Sequence, residues 1–152
     1  MGKGLFLLVY FCCAHVSASG IHFSQGWLRE TPQDYSSAAI YGRLVNNSDG
    51  SELLKSIRSD QADLVMLHRS VRQHGLVGMV HLESLKIASG ETVYFEPAGL
   101  HFMAIGLTEA LVEGDCLELT LSFQSGKEIR VMAKVGTLTQ LEYSNKMLSC
   151  LE

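Results

Sequence analysis

Apolar and polar residues alternate in short runs along most of this chain. In CLELTLSF, residues 116–123, Leu117, Leu119, Leu121 and Phe123 fall on one side of an extended backbone, with Cys116, Glu118, Thr120 and Ser122 on the other. A period of two with one apolar side marks an antiparallel strand that buries one face. EIRVMAKV, residues 128–135, repeats the pattern, Ile129, Val131 and Ala133 alternating with Arg130, Met132 and Lys134. The intervening QSGK supplies a turn, so the two segments read as a hairpin. Further strands are expected at IHFSQGWL, SSAAIYGRLV, SELLKSIRS, DLVMLHRSV and LVGMVHLE. Residues that favour turns separate them: NNSDG at 46–50, RQHG at 72–75, SG at 89–90 and PAG at 97–99. No long amphipathic helix breaks the series. About eight or nine strands at this spacing predict an all-β domain, a Greek-key sandwich or barrel, with Trp27 in its core.

One strand carries unusual chemistry. In AGLHFMAIGL, residues 98–107, His101 and Met103 share a face while Leu100 and Phe102 point the other way. The same spacing of two joins Met66 to His68 and Met79 to His81. Three such pairs on three strands can converge at one end of a barrel. Neutral imidazole and thioether sulfur suit Cu(I), whereas hard ions prefer carboxylates and structural zinc recruits thiolates. Apolar packing alone accounts for Met132 and for Met66, although Met66 shares its face with His68 and is a candidate secondary ligand. His81 is the other such candidate, with a polar surface role as its plainer reading. His74 sits in the RQHG turn and reads as solvated.

The ends of the chain differ from its middle. MGKGLFLLVYFCCAHVSASG places Lys3 before an apolar run from Leu5 to Ala14, then small residues at Val16 and Ala18, as at a signal-peptidase site. Residues 1–18 are expected to form a cleaved secretory signal, residues 19–135 the β-domain and residues 136–152 a C-terminal tail of weak periodicity. The apolar run is too short to cross a bilayer, which takes roughly 20 residues, so no membrane span is expected after cleavage. Lipoprotein processing would need small residues just before a cysteine, and Cys12 follows Tyr10 and Phe11. The formal net charge is −4, more negative by one without Lys3, which argues against nucleic acid as a partner. Beyond the signal only Cys116 and Cys150 remain; in an oxidising compartment they can form a disulfide or stay as two thiols. NNS at 46–48 matches a glycosylation sequon.

Spacing sharpens the metal reading. Ten residues separate His68 from Met79, twenty-one separate Met79 from His101, and Met103 follows two places on. This H-x10-M-x21-H-x-M pattern resembles that of the periplasmic copper chaperones of the PCuAC type. GWLRETP at 26–32, SAAIYGRLVNNSD at 37–49, GLHFMAIGL at 99–107 and LVEGDCLELTLSF at 111–123 are similar to that family's landmarks, in the same order. The resemblance covers residues 21–135. It implies a cupredoxin-like Greek-key β-barrel that binds one Cu(I) through His68, Met79, His101 and Met103, with Cu(II) as a second oxidation state. It further implies a periplasmic chaperone that hands copper to the copper centre of a respiratory oxidase, through an oxidase subunit or its assembly factor; the chain is expected to act as a monomer.

Other functions fit the residues less well. A blue-copper electron carrier needs a cysteine thiolate beside two histidines, and neither Cys116 nor Cys150 has a histidine nearby in sequence. No H-E-x-x-H or G-x-S-x-G motif is present, so catalysis is not expected. A secreted Ig-like interaction module, or a copper-storage or resistance protein without a transfer role, remains as the alternative; the former predicts that the four residues are scattered in space.

Overall fold

The computed structural model describes residues 20–73, 75–145 and 150; the expected signal segment and His74 lie outside the described residues. Ten strands follow in order: β1 (Ile21–Arg29), β2 (Ser37–Asn46), β3 (Glu52–Arg58), β4 (Ala62–Gln73), β5 (Leu76–Leu82), β6 (Leu85–Ile87), β7 (Thr92–Phe95), β8 (Leu100–Leu107), β9 (Cys116–Phe123) and β10 (Glu128–Gly136). No helix occurs among the described residues, and none is long and apolar enough to cross a membrane.

The strands form one sheet in the order β5-β4-β8-β7-β2-β1-β10-β9-β3-β6. A pairing of β3 with β4, Ile57 opposite Val65, closes the central eight into a barrel. Closure removes the open edges of those eight strands and leaves β5 and β6 as flanking additions. Neighbours are antiparallel except β1 with β10 and β7 with β8. The expected all-β barrel is therefore the observed architecture. The count exceeds the expected one because β6, three residues long, is too short to show a period.

Alternation explains the core. Leu117, Leu119 and Leu121 are fully enclosed, and Leu28, Ile40, Leu44, Leu54, Leu67, Phe102 and Val135 meet them from the other strands. Phe23, Phe95 and Phe102 form an aromatic cluster, with ring centroids 4.3 to 6.2 Å apart. At about 25 cal/mol per Å² of apolar surface, each of these side chains contributes roughly 1.5–3 kcal/mol of transfer free energy.

Trp27 is buried, as expected, but not on the side that simple alternation gives. Strict alternation from Phe23 would send it inward, but the register of β1 against β2 slips between Ser24 and Trp27. Ser24 faces Arg43 and Trp27 faces Tyr41, so β1 spends one residue more than β2 over this step, as in a β-bulge. Gln25 takes a positive φ of 54° there. The extra residue turns Leu28 inward and Trp27 outward. Trp27 is buried, but against the Tyr41 ring, 4.7 Å between centroids, and outside the central cluster.

The sequon is also structural. Asn46 is completely buried; its Nδ2 donates to the carbonyls of Gly50, Ile87 and Ala88, and its Oδ1 accepts from the Ser48 backbone N–H and hydroxyl. In the folded chain that amide is not accessible for modification.

A candidate copper site on the outer face of three strands

Strand β4 lies between β5 and β8, and its register decides which side chains meet. His68 is directly opposite His81 of β5 and directly opposite His101 of β8. Met66 faces Met103, and Ser70 faces Met79. Because Val65, Leu67, Phe102 and Ala104 point into the core, the intervening Met66, His68, His101 and Met103 all lie on the outer face. All three His/Met pairs of the sequence thus share one face of three adjacent strands.

The rings continue as a row. His81, His68, His101, Tyr41 and Trp27 stand side by side on β5, β4, β8, β2 and β1, with successive centroids 5.8, 5.8, 6.3 and 4.7 Å apart. This row explains a gradient of exposure. His101, flanked by rings, is 4% exposed; His68 and Met103 are half-buried; Met79, on the edge strand, is 60% exposed. Met103 and Met79 are diagonal neighbours of His68 in opposite directions along β4. Diagonal partners lie roughly 7–8 Å apart at the backbone, which long side chains span.

The hydrogen bonding leaves lone pairs free. His101 Nδ1 lies 3.2 Å from the Gly99 carbonyl; with its proton on Nδ1 the ring donates there and keeps Nε2 unprotonated. Gly99 is held by the turn before β8, its N–H donating to the Glu96 carbonyl, while its own carbonyl also accepts from the Ser70 N–H. Ala98 takes a positive φ of 63° to make that turn. His68 Nδ1 is buried and has no hydrogen-bond partner among the described residues. A buried polar atom of this kind ordinarily finds a partner, and a bound cation would supply one. Burial, and next the neighbouring His101 and His81, lower the His68 pKa below the ordinary histidine value. The ring therefore stays neutral to lower pH than a free histidine, and the neutral ring is the form that ligates.

Among the described residues no group of three or more His, Cys, Asp or Glu side chains is arranged to hold a metal ion. His81 and Met66 lie as close to the group in register as the four pattern residues do, and only the period-two spacing marked them in the sequence. Cys116 and Cys150 are joined in a disulfide, and β9, which carries Cys116, pairs with none of these three strands.

Comparison with known proteins gives the same architecture. A family model described as "Putative lipoprotein LpqE-like" matches residues 21–135. A curated relative from Leifsonia xyli subsp. xyli, "Putative lipoprotein Lxx21020", is 27% identical over 134 residues, covering 82% of this chain and 80% of that protein. Among solved structures, the copper-bound PCuAC domain from PmoF2 superposes with a TM-score of 0.66 at 22% identity, covering 80% of this chain and 97% of that one. The solution structure of CuI-DR1885 from Deinococcus radiodurans gives 0.61 at 25% identity, with 84% and 82% covered.

Proposed function

The chain belongs to the LpqE-like family, and from that membership together with the His–Met face we propose that it is a copper chaperone. One observation carries the reading: His68 Nδ1, buried and without a hydrogen-bond partner among the described residues, sits between two further imidazoles with methionines at the diagonals. Two of the solved structures that it resembles in fold, the PCuAC domain from PmoF2 and CuI-DR1885, are copper-bound. The cargo is Cu(I), held by the nitrogens of His68 and His101 and the sulfurs of Met79 and Met103, with Cu(II) accepted through the imidazoles.

The division of labour follows from burial. His101 is locked by its hydrogen bond to Gly99 and by the rings beside it, so it fixes the ion's place. Met79 sits on the edge strand β5, whose Leu76 and Val77 are also exposed. An acceptor approaching that edge meets Met79 first. Thioether sulfur has no proton to gain or lose near neutral pH, so an incoming cysteine thiolate can displace it without chemistry on the chaperone. The acceptor in this reading is an oxidase copper subunit or its assembly factor, and the setting is the periplasm after cleavage of residues 1–18. The Cys116–Cys150 bridge argues against a blue-copper carrier, since it leaves neither thiolate for a metal.

A copper-edge X-ray absorption spectrum of the Cu(I)-loaded protein tests the assignment directly. Two nitrogen and two sulfur scatterers are expected. A shell of nitrogen and oxygen alone would overturn it.

A further inference from the structure

A second group of sulfurs lies on the other side of the barrel. Cys116 begins β9, and Lys134 of β10 is its direct register partner. Cys150 is bonded to Cys116, and it lines one cleft together with Met132, Lys134, Tyr143 and Arg130. Met132 is two residues before Lys134 and so shares its outward face, diagonal to Cys116. Lys134 Nζ lies 3.6 Å from Cys116 Sγ and donates to the Gly114 carbonyl at 2.6 Å. A fixed ammonium at that distance favours a thiolate at Cys116 once the bridge opens.

We propose that Cys116, Cys150 and Met132 form a second, redox-gated Cu(I) site. In the oxidised chain both cysteine sulfurs are tied to each other and the site is closed. A dithiol reductant opens it: the reductant's two thiols become its own disulfide, and their two electrons and two protons leave Cys116 and Cys150 as thiols. Cu(I) then binds both sulfurs as thiolates with release of two protons. The Met132 thioether supplies a third soft donor, and Lys134 offsets the negative charge of the bis-thiolate complex. Three sulfurs and no hard donor select Cu(I) over divalent ions of harder character. The chain would then carry one copper under oxidising conditions and two under reducing ones, and oxidation of the pair would expel the second. This site shares no residue with the His–Met face, so either assignment can fail without the other.

The test is an anaerobic competition of Cu(I) between the full chain and a chromophoric Cu(I) chelator. Protein is used as prepared, or after treatment with a phosphine reductant that is then removed. The reduced protein is expected to hold one equivalent more than the oxidised one and to show a thiolate-to-copper charge-transfer band in the ultraviolet. That extra equivalent should vanish in Cys116→Ser/Cys150→Ser and persist in Met79→Leu/Met103→Leu. In Met132→Leu it should bind about tenfold more weakly, the scale on which a supporting metal partner counts. Equal stoichiometry in the two redox states would overturn the site, as would an extra equivalent that survives loss of both cysteines. Circular dichroism of the reduced protein separates a folded site from loose thiols. Loss of the β signal, with copper binding indifferent to Met132→Leu, also overturns it.

Discussion

The imidazole rings of His68 and His101 stand edge to face, 5.8 Å between centroids at an interplanar angle of 86°, on directly paired positions of β4 and β8. The pairing matters because it is enforced from the opposite side of the sheet. Leu67 and Phe102, one residue away on each strand, are themselves register partners and are both sealed in the core. A slip of one residue would bring every core side chain of these strands to the surface, so the barrel's packing holds the two histidines in line.

The same logic makes Gly42 a sensitive position. A Cβ there would overlap the Phe23 ring, which is wedged against Phe95 and Phe102. Gly42→Ala is expected to lower stability by about 1–3 kcal/mol through overpacking, measured by urea denaturation. Adding Phe23→Leu should recover part of that loss, because the two sites share one volume and their effects are not additive.

Asn46 ties three carbonyls of two loops with one amide. Asn46→Ala leaves those acceptors without a donor and should cost about 2–4 kcal/mol. Asn46→Asp keeps the shape but turns a carboxylate toward the same carbonyls, so at neutral pH it should be at least as destabilising in the same experiment.

These positions show what was and was not legible in the sequence. The strands with clean alternation, β9 and β10, were readable because one face is buried and nothing interrupts the period. The shared face of His101 and Met103 followed from the same rule. The place of Trp27 was not readable, since one extra residue at Gln25–Gly26 reverses the inside and outside of everything after it, and a bulge leaves no periodic trace. The proximity of His81 to His68 was hidden for another reason: cross-strand neighbours depend on the hairpin register, and that register is set by the turn between Gln73 and Leu76. The burial of Asn46 was not readable either, because a sequon match and a turn composition do not report burial.

The outer surface of the β3 and β10 region offers a pH prediction. Arg58 bonds Glu128 through both terminal nitrogens, and Ser122 adds a third hydrogen bond. The hydrogen bond from Arg58, then that from Ser122, hold the Glu128 carboxyl down to about 2, against an ordinary 4.5. A carboxyl with a depressed folded-state pKa adds stability that is fully present above its unfolded value and is lost as pH falls through its folded one. The contribution should therefore fade between about pH 4.5 and 2. Both side chains are half-exposed, so the direct readout is the carboxyl carbon shift in an NMR titration. The midpoint should lie near 2 in the native chain and rise toward 4.5 in Arg58→Met.

The central claim is that methionine sulfur on the outer face of β5 and β8 binds copper rather than filling space, and it is tested most directly by replacing both sulfurs at once. Met79→Leu/Met103→Leu keeps volume and apolar character, so thermal unfolding should move little, the cost of each swap being under about 1.5 kcal/mol. Anaerobic competition with a Cu(I) chelator, on the oxidised chain, then compares native and double variant. The account predicts a loss of Cu(I) affinity on the order of 100-fold or more, at about 1.4 kcal/mol for each factor of ten, with residual Cu(II) binding through His68 and His101. An unchanged Cu(I) affinity in a variant that unfolds at the native temperature would contradict it, and His101 and Met103 would then be ordinary surface packing.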